Sequence, residues 1–257
     1  SNNIDFVPYN IPVPNNAEQR SQFQMDAATS RIFFKLVGNT RLLGDFDVYI
    51  ESDFRGSNHN FRLRQAYMEF RGFLFGQSWS TFDDVASVPP TIDNAGPNAY
   101  SSERSVQIRY TYNFNENWQV ATAVEAPKLS ASFNDYNKSI PQRSPDIPLY
   151  VQYGWENKSH IRASGVVRTM WYRNLNTEKN NSVLGWGTQL SGVINTCSKV
   201  SVYFQSMYGK GIARYVTDLS GVGLDLVSQG TNCGKMEALP TFSYLGGLRY
   251  NFNDSWF

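Results

Sequence analysis

The chain has 257 residues, of which 41% are hydrophobic, 15% aromatic and 18% charged, and its formal net charge is +1. This balance argues against nucleic acid as a partner, because phosphate binding needs clustered Lys and Arg. Charged residues fall below the roughly 25% usual for soluble domains, whereas rings are abundant, with 17 Phe, 15 Tyr and 6 Trp. No apolar run approaches the roughly 18 residues of a membrane-spanning helix, so a helical membrane protein is excluded.

Apolar and polar side chains alternate with period two along much of the chain, as in strands whose two faces meet different media. The alternation is complete over 105–114 and is broken only by Leu245 over 241–252. Weaker versions complete a set of eleven predicted strands, near 22–37, 41–53, 61–70, 73–80, 104–114, 117–126, 147–155, 159–173, 183–195, 199–213 and 238–252. The sequence therefore predicts an all-β protein.

The predicted connections alternate between short turns and long loops. Short turns are expected at 38–40, 71–72, 115–117, 156–158, 195–198 and from 253, and long connections at 54–60, 80–103, 127–146, 174–182 and 214–237. Aromatic residues flank the short turns: Phe70, Phe73, Tyr112, Phe114, Trp118, Tyr153, Trp155, Tyr250, Phe252 and Trp256. One rim of short turns with an aromatic girdle is typical of a transmembrane antiparallel β-barrel, which we expect to form a single domain over 1–257.

Both ends predict a barrel that continues beyond this sequence. Segment 112–118 resembles 250–256, so Trp256 is expected to open another strand after a tight turn. The first predicted strand descends from the rim of long loops, so a further strand is expected before Ser1. Bacterial single-chain barrels have even strand counts, and we expect about fourteen, sixteen or eighteen strands in the full protein.

Several short motifs resemble the DcaP-like outer-membrane porins, which are trimeric sixteen-stranded channels. These motifs lie at 5–9, 61–67, 75–84, 89–93, 96–97 and 107–110. The resemblance implies location in the outer membrane of a Gram-negative bacterium, contact with membrane lipid, assembly as a homotrimer, and diffusion of small anionic solutes such as dicarboxylates or aromatic acids. In that template, 80–103 is the third outer loop, which folds inward and constricts the pore in general porins.

If the apolar faces contact lipid, the charged residues of the strands line the pore. The predicted pore-lining residues are Arg31, Lys35, Asp45, Asp47, Glu51, Arg109, Glu125, Arg162, Arg168 and Arg249, to which loop 80–103 adds Asp83, Asp84, Asp93 and Glu103. Opposed acidic and basic walls orient dipolar solutes and favour small anions where Arg dominates. The acidic residues of 41–53 leave a weakly selective channel as an alternative, and any single Arg could instead be a structural partner of a carboxylate.

Arg62 and Arg64 are harder to place, because the alternation over 61–70 is mixed. In regular alternation they share a face with Ala66, Met68 and Phe70. An Arg facing lipid at mid-depth costs roughly 2–4 kcal/mol, so we expect either a β-bulge that turns both side chains towards the pore or a position near the rim.

No catalytic residues, metal site or cofactor are expected. His59 and His160 are predicted to lie at the surface, without metal spacing and without a nucleophile beside them. Cys197 and Cys233 are expected at opposite rims, too far apart for a disulfide. A barrel-borne enzyme would need a nucleophile and a base on neighbouring strands, and an adhesin or soluble binding module would need irregular turn lengths.

Small outward residues on the predicted strand 159–173 offer a surface for close subunit packing. They are Ala163, Gly165 and Thr169. Such positions let neighbouring walls approach each other.

Overall fold

The structure is a computed structural model that describes residues 25, 27–91, 96–197, 199–230 and 234–252. In chain order the strands are β1 (Arg31–Thr40), β2 (Gly44–Asp53), β3 (Arg62–Phe70), β4 (Phe73–Trp79), β5 (Arg104–Asn113), β6 (Trp118–Glu125), β7 (Ala131–Ser132), β8 (Asn137–Ser139), β9 (Ile147–Trp155), β10 (Ser159–Asn174), β11 (Lys179–Cys197), β12 (Val200–Lys210), β13 (Leu226–Ser228), β14 (Met236–Ala238) and β15 (Pro240–Tyr250). Short 3-10 turns occur at Ser57–His59, Val85–Ser87, Glu156–Lys158, Ala213–Tyr215 and Thr217–Leu219. No helix of the described residues is long and apolar enough to cross a membrane.

The long strands form one antiparallel sheet in the order β1-β2-β3-β4-β5-β6-β9-β10-β11-β12-β15, with β8 paired to the end of β10. Strands β7, β13 and β14 form a small second sheet within the long connections. This arrangement confirms the predicted all-β antiparallel architecture and the eleven long strands. Within the described residues β1 and β15 are not paired with each other, so closure into a barrel and the sixteen-strand count stay predictions.

Several of the predicted boundaries are wrong, among them the short turn expected at 38–40, which lies within β1 and is replaced by a turn at 41–43. The first strand starts at Arg31 rather than near residue 22, and the described residues before it form a turn. The expected long connection 174–182 is a tight turn, because β10 extends to Asn174 and β11 begins at Lys179. Polar residues near the ends of β10 and β11 obscured this extension, since both strands lose their apolar alternation there.

The two faces of the sheet differ as the alternation predicts. On the apolar face, Val106 and Ile108 of β5 are more than half exposed, as are Phe242 and Leu248 of β15. On the opposite face, which we call the loop face, Gln107, Ser191 and Gln205 are buried because the long connections fold over them. Rings on the apolar face cluster beside the short turns, including Trp118 with Tyr153 at 4.9 Å and Tyr250 with Phe252 at 5.0 Å between centroids.

Gly76 in β4 illustrates a local requirement for glycine. Its φ is +129°, a conformation that residues with a side chain rarely adopt, and a Cβ there would collide with the Ala66 carbonyl oxygen of β3. The close approach of β3 and β4 at this point depends on the missing side chain.

Candidate functional site

The long segment between β4 and β5, described at 80–91 and 96–103 and here named the crossing loop, runs over the loop face. Asp84 reaches two strands at once: its Oδ2 lies 2.9 Å from His160 Nε2 of β10 and accepts a hydrogen bond from Ser191 Oγ of β11 at 2.7 Å. From β12, Gln205 Nε2 donates to the Asp84 carbonyl oxygen and to Ser87 Oγ, both at 2.9 Å. The loop is therefore fastened to three consecutive strands distant from its own.

The two ends of the crossing loop are held together at its base. Asp83 accepts hydrogen bonds from Ser101 Oγ and, at 2.5 Å, from the Glu103 backbone N–H. Glu125 of β6 accepts from Thr81 N at 2.7 Å and from Ser80 Oγ. These bonds position the first turn of the loop before it crosses the face.

The neighbouring carboxyl groups of Asp83 and Asp84 have opposite electrostatic surroundings. Burial raises the pKa of Asp83 well above its usual value, and nearby Glu125 and Glu103 add to the effect. Burial also acts to raise the pKa of Asp84, but the hydrogen bond from His160 and the charge of Arg162 outweigh it and lower this pKa to about 2. Asp84 is thus an anion, so His160 Nε2 donates the hydrogen bond between them.

The returning half of the crossing loop packs against the connection between β12 and β15. Ala99 N donates to Asp218 Oδ2 at 2.7 Å, and Thr217 N donates to the Tyr100 carbonyl oxygen at 3.0 Å. Beneath them the rings of Phe82 and Tyr215, both fully buried, lie 5.0 Å apart. The two longest connections thus form one packed layer over β10–β12.

A buried ion-pair network joins this layer to the sheet. Arg214 lies 3.0 Å from Asp146 and 3.1 Å from Glu103, while Arg168 lies 3.1 Å from Asp225. Burial raises the pKa of Asp146, although Arg168 and Arg214 act against it. For Arg214, burial acts to lower the pKa, but Tyr215 and the surrounding carboxylates outweigh it and raise this pKa.

A β-bulge resolves the orientation of Arg62 and Arg64. The register between β2 and β3 shifts between Glu51 and Ser52, and Arg64 is the extra residue. Arg64 forms ion pairs with Glu51 and, at 3.0 Å, with Asp53, and Arg62 contacts Asp53 at 2.6 Å. The bulge places both guanidinium groups beside carboxylates of the loop face.

The other predicted pore residues of the strands also lie on the loop face, and several are paired. Lys35 lies 2.9 Å from Asp47, Asn39 Nδ2 donates to Asp45, Arg109 lies 3.0 Å from Glu69, and Arg249 Nε donates to Asn251 Oδ1. Arg31 is exposed and forms no ion pair with a described residue. A cleft of about 450 Å³ brings together Asp45, Asp47, Glu69, Arg109 and Tyr150 near the short turns.

Arg162 differs from the other arginines because its hydrogen-bond partners are neutral. Its Nε and one terminal nitrogen donate to Gln152 Oε1, and the other donates to the Asp83 carbonyl oxygen at 2.8 Å. Its guanidinium lies 4.0 Å from the centre of the Tyr150 ring. Arg162 is half-buried and keeps its charge at the edge of the crossing loop.

One expectation is wrong, one predicted pore residue is buried, and four of the residues discussed above lie outside the part of the chain that the structure describes. His160 is buried rather than at the surface, because the crossing loop reaches down to the start of β10. Arg168 is only 2% exposed, because the connections after β6 and β12 cover it. Asp93, Cys233 and the side chains of Cys197 and His59 lie outside the described residues.

Sequence patterns missed Arg214, Asp146 and Asp225. All three lie in long connections, where no periodicity indicates which side chains are buried. The signal that could have singled out Arg214 is its position in an apolar run, Ile212-Ala213 before it and Tyr215-Val216 after it. A charge so placed needs a buried partner.

The fold has a counterpart among solved structures. The crystal structure of the outer membrane channel DcaP of Acinetobacter baumannii matches with a TM-score of 0.75 and 20% identity, over 89% of this chain and 63% of that chain. This chain therefore spans 63% of the length of that channel. OmpT (in-vitro folded), an outer membrane protein of Vibrio cholerae, matches with a TM-score of only 0.24 and 11% identity, over 86% of this chain and 94% of that one, which supports no structural conclusion.

No curated protein sequence matches the chain. The family model described as DcaP outer membrane protein matches residues 3–222, which is most of the chain. The shared antiparallel sheet agrees with that match. The chain therefore belongs to the DcaP outer membrane protein family, and its location is the outer membrane.

Proposed function

We propose that the chain forms the wall of an outer-membrane porin, a trimeric channel through which small hydrophilic solutes diffuse, with a preference for small anions such as dicarboxylates. The observation that carries the proposal is the crossing loop, which is fastened across the charged face of the sheet while the opposite face stays apolar and exposed. A loop so placed narrows the space enclosed by the wall. The family is one of channels, which favours this function over a barrel-borne enzyme or an adhesin.

The preference for anions rests on two arginines that form no direct ion pair with a described carboxylate, although Asp84 lies near Arg162 and Glu51 near Arg31. Arg64 and Arg168 are neutralised in buried ion pairs, so they add little to the field in the pore. Arg162 is bonded to neutral groups beside the crossing loop, and Arg31 is exposed. These two supply positive potential where a permeating anion would pass. Asp45 and Asp47, near the short turns, add negative potential that opposes the two arginines. If these carboxylates dominate, the channel is weakly selective, which is the competing outcome.

Reversal potentials in planar bilayers test the proposal. The full-length protein would be measured under a KCl gradient beside two variants, Arg162→Gln and the control Lys158→Gln, which removes an exposed charge in the β9–β10 turn. We expect anion selectivity in the wild type, a clear loss in Arg162→Gln and no change in Lys158→Gln. Closure in three steps would support the trimer, and block of the current by succinate would support dicarboxylate entry. Absence of conductance would exclude the channel.

A further inference from the structure

Three cations cluster on the apolar face of the sheet, where the sheet meets the long connections. Arg173 of β10 lies directly opposite Lys138 of β8 in the strand register. The guanidinium of Arg143 lies 5.1 Å from the centre of the Trp171 ring. Trp171 is two residues before Arg173 and lies on the same face of β10. We call Lys138, Arg143, Arg173 and Trp171 the rim patch.

The rim patch places two cations directly opposite each other in the strand register. Like charges directly opposite each other in a sheet destabilise it. None of the three cations forms an ion pair with a described residue, although Asp135 and Glu178 lie nearby in the sequence; Arg173 only donates to Asn180 Oδ1 at 3.3 Å. An anionic partner from outside the chain would relieve this repulsion.

Charges on the apolar face are distributed asymmetrically. Among the described strands of the main sheet, the register and alternation put four charged residues there: Arg104, Lys138, Arg173 and Lys210. All four are positive and lie at the rim of the sheet that carries the long connections, although Arg173 itself precedes the tight turn between β10 and β11. The carboxylates of these strands are on the loop face: Asp45, Asp47, Glu51, Asp53, Glu69 and Glu125.

Depth relates the rim patch to the membrane. Long connections of outer-membrane barrels lie on the outside, so these cations lie at the outer leaflet. Below them Val167 of β10 and Leu184 of β11 are exposed and apolar. With a rise of about 3.3 Å per residue and a tilt near 45°, Arg173 stands roughly 14 Å above Val167, which places its charge at headgroup depth. Trp171 lies between them, at the level where interfacial aromatics are found.

From these observations we propose that the rim patch binds the phosphate groups of the outer-leaflet glycolipid, lipopolysaccharide, with its acyl chains lying along Val167 and Leu184, so that this part of β10 faces lipid and not the neighbouring subunit expected at Ala163, Gly165 and Thr169. Basic residues beside a membrane surface attract anionic headgroups, and Arg offers two parallel hydrogen bonds to a phosphate. The apolar strip beneath the cations accounts for the choice of a lipid rather than a free anion.

Native mass spectrometry of the full-length protein in a non-ionic detergent, titrated with hexaacylated lipid A, tests the proposal. The test variant is Lys138→Gln with Arg143→Gln and Arg173→Gln; the charge-matched control, at the short turns, is Arg41→Gln with Lys158→Gln and Lys199→Gln. We expect the test variant to lose affinity by about 100-fold and the control to bind like wild type. Equal losses in both variants, or equal binding of dephosphorylated lipid A, would overturn the proposal. Displacement by millimolar inorganic phosphate would also overturn it, because it indicates a site for free anions.

Lys138→Gln alone gives a second readout that a merely structural role would not produce. Without lipid A the substitution removes the like charge directly opposite Arg173 in the strand register, so the melting temperature in detergent should rise. The stabilisation that lipid A adds should fall in the same variant. If the melting temperature without lipid A and the stabilisation added by lipid A both rose, or both fell, the result would contradict the proposed site.

Discussion

His160 Nε2 lies 2.9 Å from Asp84 Oδ2, although the two residues are 76 positions apart in the sequence. The contact joins the second residue of β10 to the crossing loop, and both side chains are buried. The width of the space beside the sheet thus depends on a polar contact rather than on apolar packing alone.

A double-mutant cycle with His160→Ala and Asp84→Asn measures this contact. We expect a coupling free energy of about 1–3 kcal/mol. Either single substitution already removes the buried charged hydrogen bond between the two side chains, so the double variant cannot lose it a second time. Thermal unfolding in detergent gives the stabilities, and open-channel current noise should rise in each single variant as the loop loosens. The exposed pair Lys35 and Asp47 serves as control, with coupling below about 1 kcal/mol. Additive effects for His160 and Asp84 would contradict the assigned anchor.

Acid should release the same anchor over a defined pH range. The pKa of Asp84 is lowered from 3.8 in the unfolded chain to about 2 in the folded one, so its contribution is complete above about pH 4 and disappears as the pH falls to about 2. The shift corresponds to roughly 2 kcal/mol. The difference in unfolding free energy between wild type and Asp84→Asn, measured from pH 7 to pH 2, should shrink over that range. A difference independent of pH would show that Asp84 contributes through shape alone.

Arg214→Met should be strongly destabilising. The substitution leaves the buried carboxylates of Asp146 and Glu103 without this partner, and breaking a buried ion pair typically costs about 3–5 kcal/mol. Lys128→Met is the matched control, because Lys128 contacts the same Glu103 at 3.1 Å but is largely exposed, and its loss should cost less than about 1 kcal/mol. Similar melting temperatures for the two variants would count against the network.

Gly76→Ala should lower stability by about 3 kcal/mol or prevent assembly. Its φ of +129° is available almost only to glycine, and the added methyl group would meet the backbone of β3. Gly246→Ala is the control within the same sheet, since no atom lies within 4 Å of its added Cβ. The heat-dependent migration of the protein in gel electrophoresis distinguishes folded from unfolded protein. If both variants gave the same fraction of folded protein, this explanation would be refuted.

Period-two alternation was sufficient to predict the eleven long strands and the faces of most of their residues, but not the short strands β7, β8, β13 and β14 within the long connections. Val106 and Arg109 fall on opposite faces as expected, because one side of the sheet is apolar and the other polar. Arg62 and Arg64 could not be assigned to a face from alternation alone, since a single extra residue reverses the parity of everything before it in β3. The energetic cost of Arg in lipid nevertheless indicated the bulge.

Contacts between connections could not be predicted in the same way. Asp84 and Ser191 are 107 positions apart, and the pairing depends on how far a loop without regular structure travels across the sheet. His160 was therefore predicted to lie at the surface. Its position beside a turn in the sequence does not indicate that a loop from another part of the chain covers it. Arg214 and Asp146 are a second case, 68 positions apart in two separate connections.

The anchors of the crossing loop also set an order of events during synthesis and assembly. Asp84 emerges early in the chain, whereas His160, Ser191 and Gln205 follow 76 to 121 positions later. The loop can be fastened only after β10, β11 and β12 have paired, because its partners lie on those strands. The full set of anchors therefore cannot be in place before these three strands have folded.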